Sequence, residues 1–209
     1  MNCEESMKVV KHMTEIKMRT SFDKRIFTYE TFGRDIGFIL SNMPRAIVMS
    51  RNEKISRVFL EKIMAVVTAV NECVYCSWFH AKQAIEYGMS EQEVRNLFDL
   101  QFEADATEYE LLALFYAQHY AETNRNPRSE MNEKLSGYYG DETAKQIILI
   151  IRIIFFGNLL GNTWDAVLSR LKGNPASGSN VLFESIFFLL TWYFMIPGMF
   201  LAKNDRRTK

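Results

Sequence analysis

Apolar residues in this chain recur with the spacing of an α-helix, and no stretch alternates with period two for long, which leaves little material for half-buried strands. Ile55, Val58, Phe59, Ile63, Val66, Val67 and Val70 form such a row, so Ser56 to Val70 is predicted as an amphipathic helix with Glu61 and Lys62 among its few charges. Asn71 then offers an N-cap for a second helix running to Tyr87 and stopping at Gly88, a residue suited to the backbone turn past a helix end. Ser90 and Glu93 have the spacing of a capping box, in which hydroxyl and carboxylate each satisfy a free backbone N–H, and they open a short helix to Phe98. The same signals predict helices over Thr107 to Thr123, over Asp141 to Leu171 with a break near Gly157 and Gly161, and over Val181 to Leu201.

Composition points the same way. With 4 Pro and 10 Gly among 209 residues, the chain has few of the turn formers that a many-stranded fold needs, while 48% hydrophobic residues are ample for a core. An all-α fold in one domain over 1–209 is expected, with a lead-in over 1–30, a central region over 45–97 and an apolar C-terminal helix over 181–202. The loop-like stretches Asn124 to Arg128 and Gly173 to Asn180 do not read as domain linkers.

Charge and cysteine content exclude whole classes of function. Since 25 Lys+Arg balance 25 Asp+Glu, no uncompensated basic surface is offered to phosphates, and nucleic acid is not an expected partner. Three cysteines are too few, and odd in number, for the disulfide scaffold of a secreted domain, so a reducing, cytoplasmic setting is expected. Met1 to Thr20 mixes Glu4, Glu5, Lys8, Lys11, Glu15, Lys17 and Arg19 with scattered apolar residues and does not read as a signal peptide. Ile147 to Leu160 is short for a membrane span and carries Arg152, which favours a buried core helix and calls for a carboxylate or backbone partner for the arginine. Ser185 to Ala202 is free of charge and near the lower limit of the roughly 17–25 residues that cross a bilayer. It contains Pro197 and Gly198 and follows Glu184, and it is read as a buried or subunit-interface helix rather than a membrane anchor.

The stretch that carries chemistry is Glu72-Cys73-Val74-Tyr75-Cys76-Ser77-Trp78-Phe79-His80. On a helix, Cys76 lies about 60° from Cys73 and His80 about 20° from it on the other side, so the three share one stripe. Cysteines at i and i+3 bring their Cα atoms within the range a disulfide accepts, and the helix N-terminus favours thiolate. His80, one turn beyond Cys76, is placed to accept its proton. Thiol redox chemistry is one reading; two buried, inert thiols is a second. A third is part of a zinc site, for which Cys3, His12 and His119 are the only other ligands of the usual soft type. Ser77 stands where a c-type haem motif would have its His.

Glu61 followed by Cys73, Cys76 and His80 resembles the E…C-x-x-C-x-x-x-H signature of the alkylhydroperoxidase D (AhpD-like) and carboxymuconolactone decarboxylase superfamily. Phe59-Leu60-Glu61, Tyr75 and the Gly88-Met89-Ser90-Glu91-Gln92-Glu93 turn share the likeness, which is clear over Arg45 to Leu97 and weaker over Glu110 to Leu171. The resemblance implies an antiparallel all-helical fold, a homo-oligomer and, in the redox branch, a peroxidase needing neither metal nor other cofactor. It makes Cys76 similar to the peroxide-attacking cysteine, Cys73 to the resolving one, and His80 and Glu61 to a proton relay. The implied partners are a hydroperoxide substrate and an external dithiol reductant, thioredoxin-like or a lipoyl protein. Redox members of the family place a His between the cysteines where this chain has Tyr75, and the decarboxylase branch lacks the cysteine pair. A non-enzymatic or redox-sensing oligomer with the same pair is the alternative. His119 is read as a helical His without chemistry, Trp78 and Phe79 as core or pocket-shaping aromatics, and Cys3 as a bystander; Asn158 and Asn162 are given no role.

Overall fold

The computed structural model describes residues 22–50 and 55–205, with side chains at 22–48 and 55–193. Cys3, His12, the charged lead-in over 1–20 and the basic residues at 206–209 lie outside the described residues. Among those described there are eight helices and no strand: α1 (Tyr29–Ser50), α2 (Arg57–Asn71), α3 (Val74–Glu86), α4 (Glu91–Phe98), α5 (Glu108–Glu122), α6 (Ser129–Tyr139), α7 (Asp141–Leu171) and α8 (Val181–Asp205).

Helix α2 is the hub, packed against α3, α4, α5 and α7. Its apolar row, Phe59, Ile63, Val66 and Val67, is buried as the periodicity requires, but so are Glu61, Lys62, Thr68 and Asn71 on its other faces. A helix enclosed on all sides buries its polar residues too, and each must then find a partner. Lys62 donates to Glu110 on α5 at 2.8 Å and to the Asp105 carbonyl at 3.1 Å; Glu110 also accepts from the Thr107 N–H, closing the capping box of α5.

Helix α7 runs unbroken, so the break expected near Gly157 and Gly161 is absent. Isolated glycines weaken a helix by only about 1 kcal/mol each, and the core formed by Ile147, Ile150, Ile154, Phe155, Leu159 and Trp164 holds this one. It is the one helix among the described residues long and apolar enough to cross a membrane, and 67% of that apolar window is buried within the protein. Arg152 on α7 lies over the ring of Phe38, with Asp35 near enough to act on it electrostatically. Asp35 in turn pairs with Arg34 and Arg125.

Two helices were not anticipated. Helix α6 is polar, buries Leu135, and is held by hydrogen bonds from Tyr116 Oη to Asn132 and from Tyr139 Oη to the Tyr109 carbonyl. Helix α1 packs on α7 through a cluster in which Phe32 meets Phe27, Phe156, Phe183 and Phe187. Helix α8 buries Phe183, Glu184, Phe187 and Thr191, with Glu184 taken by Arg170, and leaves Leu182, Leu189, Leu190, Trp192 and Tyr193 exposed.

Candidate active site

The turn between α2 and α3 departs from the expected capping. Asn71 is the last residue of α2, not an N-cap; Glu72 takes the left-handed conformation (φ 55°, ψ 35°), and Cys73, in extended geometry, caps α3. The single left-handed residue reverses the chain within two positions. Cys73 therefore stands outside the helix rather than on a shared helical stripe, and its Sγ accepts from the Cys76 N–H at 3.4 Å. A thiol here takes the place that a Ser or Asp side chain usually fills at a helix start. Asn71 is engaged elsewhere, by Asn158 and Arg25.

The two thiols are free, and they differ sharply. Cys73 is fully buried, and burial pushes its thiol well above the ordinary value, reinforced by hydrogen bonding to Cys76 and by the repulsion of a thiolate there. The Cys76 thiol is lowered: the hydrogen bond from Cys73 is the largest cause, and one from the Asn158 side chain adds to it, against burial and the negative charge of Asp165. One sulfur is thus held as a proton donor and its neighbour is favoured as thiolate.

His80 and Glu61 form a second buried pair, with Nδ1 2.7 Å from Oε2. An ionised carboxylate can only accept, so Nδ1 carries the proton and Nε2 is the nitrogen left to exchange one. The structure joins Glu61 to His80 and Cys73 to Cys76; His80 follows Cys76 by one turn of α3.

Helix α7 closes the site from the other side. A Cβ on Gly161 would lie 2.6 Å from Cys73 Sγ and 3.4 Å from the Tyr75 ring, so only a glycine lets the helix approach the thiols this closely. One turn earlier, Asn158 donates from Nδ2 to Thr68 Oγ1 at 3.0 Å and accepts from Asn71 Nδ2 at 3.3 Å; Asn162 Nδ2 reaches the Asn71 carbonyl at 2.7 Å. Sequence reasoning missed these asparagines. The signal was present, because Asn158 and Asn162 sit in the apolar run of α7 and buried amides need partners.

The other candidates lie apart. His119 accepts from the Arg128 N–H through Nε2 at 3.4 Å and so helps fix the loop after α5. Phe79 is half exposed and edge-on to His80, and Lys82 lies over the Trp78 ring. Among the described residues, no three His, Cys, Asp or Glu side chains come together as a metal-binding group. A cleft of about 510 Å³ lies away from the thiols, lined by Phe27, Tyr29, Leu182, Phe183 and Ile186 among others.

Helices around an unequal cysteine pair, one thiol buried and the other partly exposed, with a His–carboxylate pair on the next turn, make this an all-helical dithiol protein among its described residues. Residues 43–119 match the carboxymuconolactone decarboxylase family, of the AhpD-like superfamily. The match takes in Glu61, Cys73, Cys76 and His80 and ends before Asn158 and Gly161. No curated protein and no solved structure matches the chain.

Proposed function

We propose that the protein is a thiol-dependent peroxidase of alkylhydroperoxidase type, working through Cys76, Cys73, His80 and Glu61. The observation that carries the reading is the geometry of the pair: Cys73 caps α3 with its Sγ accepting from the Cys76 N–H at 3.4 Å, Gly161 lets α7 close on both sulfurs, and the His80–Glu61 pair stands one turn further on. His80 Nε2 takes the Cys76 thiol proton, the thiolate attacks one oxygen of the hydroperoxide, the O–O bond breaks, and the departing alkoxide takes that proton back from Nε2 to leave as an alcohol. Cys76 is now sulfenic acid. Cys73 attacks its sulfur, water leaves, and the disulfide holds the two electrons' worth of oxidation that the peroxide delivered. An external dithiol, thioredoxin-like or lipoyl, restores both thiols by exchange. Family membership of residues 43–119 fits this class. The reading includes a homo-oligomer of antiparallel helices in a reducing, cytoplasmic setting, with no metal in the cycle.

Because Cys76 is set below the ordinary thiol value, its reactivity should rise with pH through that lowered value and level off while a free thiol is still mostly protonated. The test is to mix reduced protein with an alkyl hydroperoxide and count thiols. Loss of the Cys73 and Cys76 thiols with formation of one disulfide is expected, abolished in Cys76→Ser; unchanged turnover in that variant would sink the mechanism.

A further inference from the structure

We infer that Asn162 is a positioning residue for Cys73: it grips the backbone of the α2–α3 turn so that the Cys73 sulfur stays within reach of Cys76 when a disulfide has to close. This rests on the peroxidase reading for its place in a cycle, though not for its test. Asn162 is fully buried on α7, next in sequence to Gly161. Its Nδ2 donates to the Asn71 carbonyl at 2.7 Å, and that carbonyl belongs to the peptide joining Asn71 to Glu72, one residue before Cys73. Gly161 meanwhile admits the Cys73 sulfur, since a Cβ there would stand 2.6 Å from it. Two neighbouring residues of one helix thus hold the same turn, one by its backbone and one by the room left for its thiol.

The turn needs holding. Glu72 is left-handed, with φ 55° and ψ 35°. That conformation costs a residue with a side chain about 1–2 kcal/mol, and it persists only where the surroundings over-determine it. Asn71 supplies that determination with both ends of its side chain and with its carbonyl. Its Oδ1 accepts from Arg25 Nη1 at 3.3 Å, its Nδ2 donates to Asn158 Oδ1 at 3.3 Å, and its carbonyl takes Asn162. Asn158 also donates to Thr68 Oγ1 at 3.0 Å, one turn back on α2, so α7 is fastened to the last turn of α2 at two levels. Lys24, beside Arg25, reaches Asp165 on the same α7 at 2.8 Å.

The energetics of Asn162 favour a positional role over a stabilising one. Its Oδ1 is buried with no hydrogen-bond partner among the described residues. Such an acceptor typically costs about 1–3 kcal/mol, while the one bond that Nδ2 makes contributes about 0.5–1.5 kcal/mol. For the fold, the exchange is at best neutral. An apolar side chain here would remove the orphaned oxygen and leave the Asn71 carbonyl unmet instead, a second near-neutral exchange. What only the amide does is fix the Asn71–Glu72 peptide along α7. Arg25 and Asn158 hold the Asn71 side chain; released at its carbonyl, the peptide can rotate and carry Cys73 with it.

The test reads closure of the pair without peroxide. Reduced protein is mixed with oxidised glutathione: the Cys76 thiolate attacks the glutathione disulfide and one glutathione thiolate leaves. Cys73, as thiolate, then attacks the Cys76 sulfur, the second glutathione thiolate leaves, and the protein disulfide forms. Mass spectrometry of acid-quenched samples follows the glutathione adduct on the Cys76 peptide, with thermal unfolding measured in parallel. In the wild type the adduct should close as fast as it forms. In Asn162→Leu closure should slow about 100-fold, the scale of a reacting atom displaced by about 1 Å, so the adduct accumulates while the first attack keeps its rate and the unfolding temperature stays near wild type. Should leucine not fit, Asn162→Ala carries the same kinetic expectation at a lower unfolding temperature. Lys62→Met, which weakens α2 away from the turn, should unfold at a lower temperature and close at the wild-type rate. Wild-type closure in the Asn162 variants overturns the inference. So does equal slowing in Lys62→Met, a wild-type protein that forms no disulfide, or failure of both Asn162 variants to fold. An adduct that accumulates only in the Asn162 variants of a protein that consumes no hydroperoxide would overturn the peroxidase reading and uphold this one.

Discussion

Cys73 performs two tasks with one sulfur: it caps α3, accepting from the Cys76 N–H, and fills the space left by Gly161. The second makes the first sensitive to a single methyl group. In Gly161→Ala the new Cβ must displace Cys73 Sγ or push α7 away, since 2.6 Å is well inside contact distance. Alanine would favour the helix by about 1 kcal/mol, so stability should change little, whereas a sulfur moved by about 1 Å can slow an aligned reaction by about 100-fold. Rapid-quench measurement of the sulfenic acid to disulfide step, beside a thermal melt, should separate the two effects. Disulfide formation at the wild-type rate would mean that the close approach has no part in the chemistry.

At the level of elements, the buried Lys62–Glu110 pair ties α2 to the start of α5 and holds the hub helix in register. Removing one member leaves the other charge enclosed, which typically costs about 3–5 kcal/mol, while replacing both with apolar residues is far milder. Lys62→Met should therefore lower the urea midpoint substantially and Lys62→Met with Glu110→Leu much less; equal losses would show that no charge is left stranded. Which elements were legible follows from the same physics. Helices α2, α4 and α5 carry their own caps, Ser56, the Ser90–Glu93 box and the Thr107–Glu110 box, and could be read within a residue or two of their ends. Helix α6 could not, because its polar sequence is held in place by tyrosines and an asparagine supplied partly from α5. The break expected in α7 failed for a related reason: Gly161 answers to a sulfur on another helix, a demand invisible along its own. The four motif residues were visible because they fall within 20 positions of one another, whereas Asn158 and Arg25 join them only through the fold.

For the molecule as a whole, helix α8 is the open question. One face buries Phe183 and Phe187; another exposes Leu182, Leu189, Leu190, Trp192 and Tyr193, an apolar face of the kind that marks an interaction surface. In the proposed oligomer this face is covered by a second copy. Sedimentation velocity without detergent should give a species heavier than the 24.4 kDa chain, and Leu189→Glu with Leu190→Glu should release monomers of unchanged helix content. A wild-type monomer that sediments only with lipid vesicles would assign the face to a bilayer instead.

The reactive centre is drawn from three widely separated stretches of chain: Lys24 and Arg25, then Glu61 through His80, then Asn158 through Asp165. During synthesis the cysteines leave the ribosome long before α7 does, and until α7 docks Cys76 has neither the amide that favours its thiolate nor the wall that shields Cys73. On the peroxidase reading, the Cys73 and Cys76 thiols of the nascent chain are therefore ordinary and sluggish, and sensitivity to peroxide is expected only when the last of the three stretches is in place. On that reading, reactivity at Cys76 would be a certificate of completed folding.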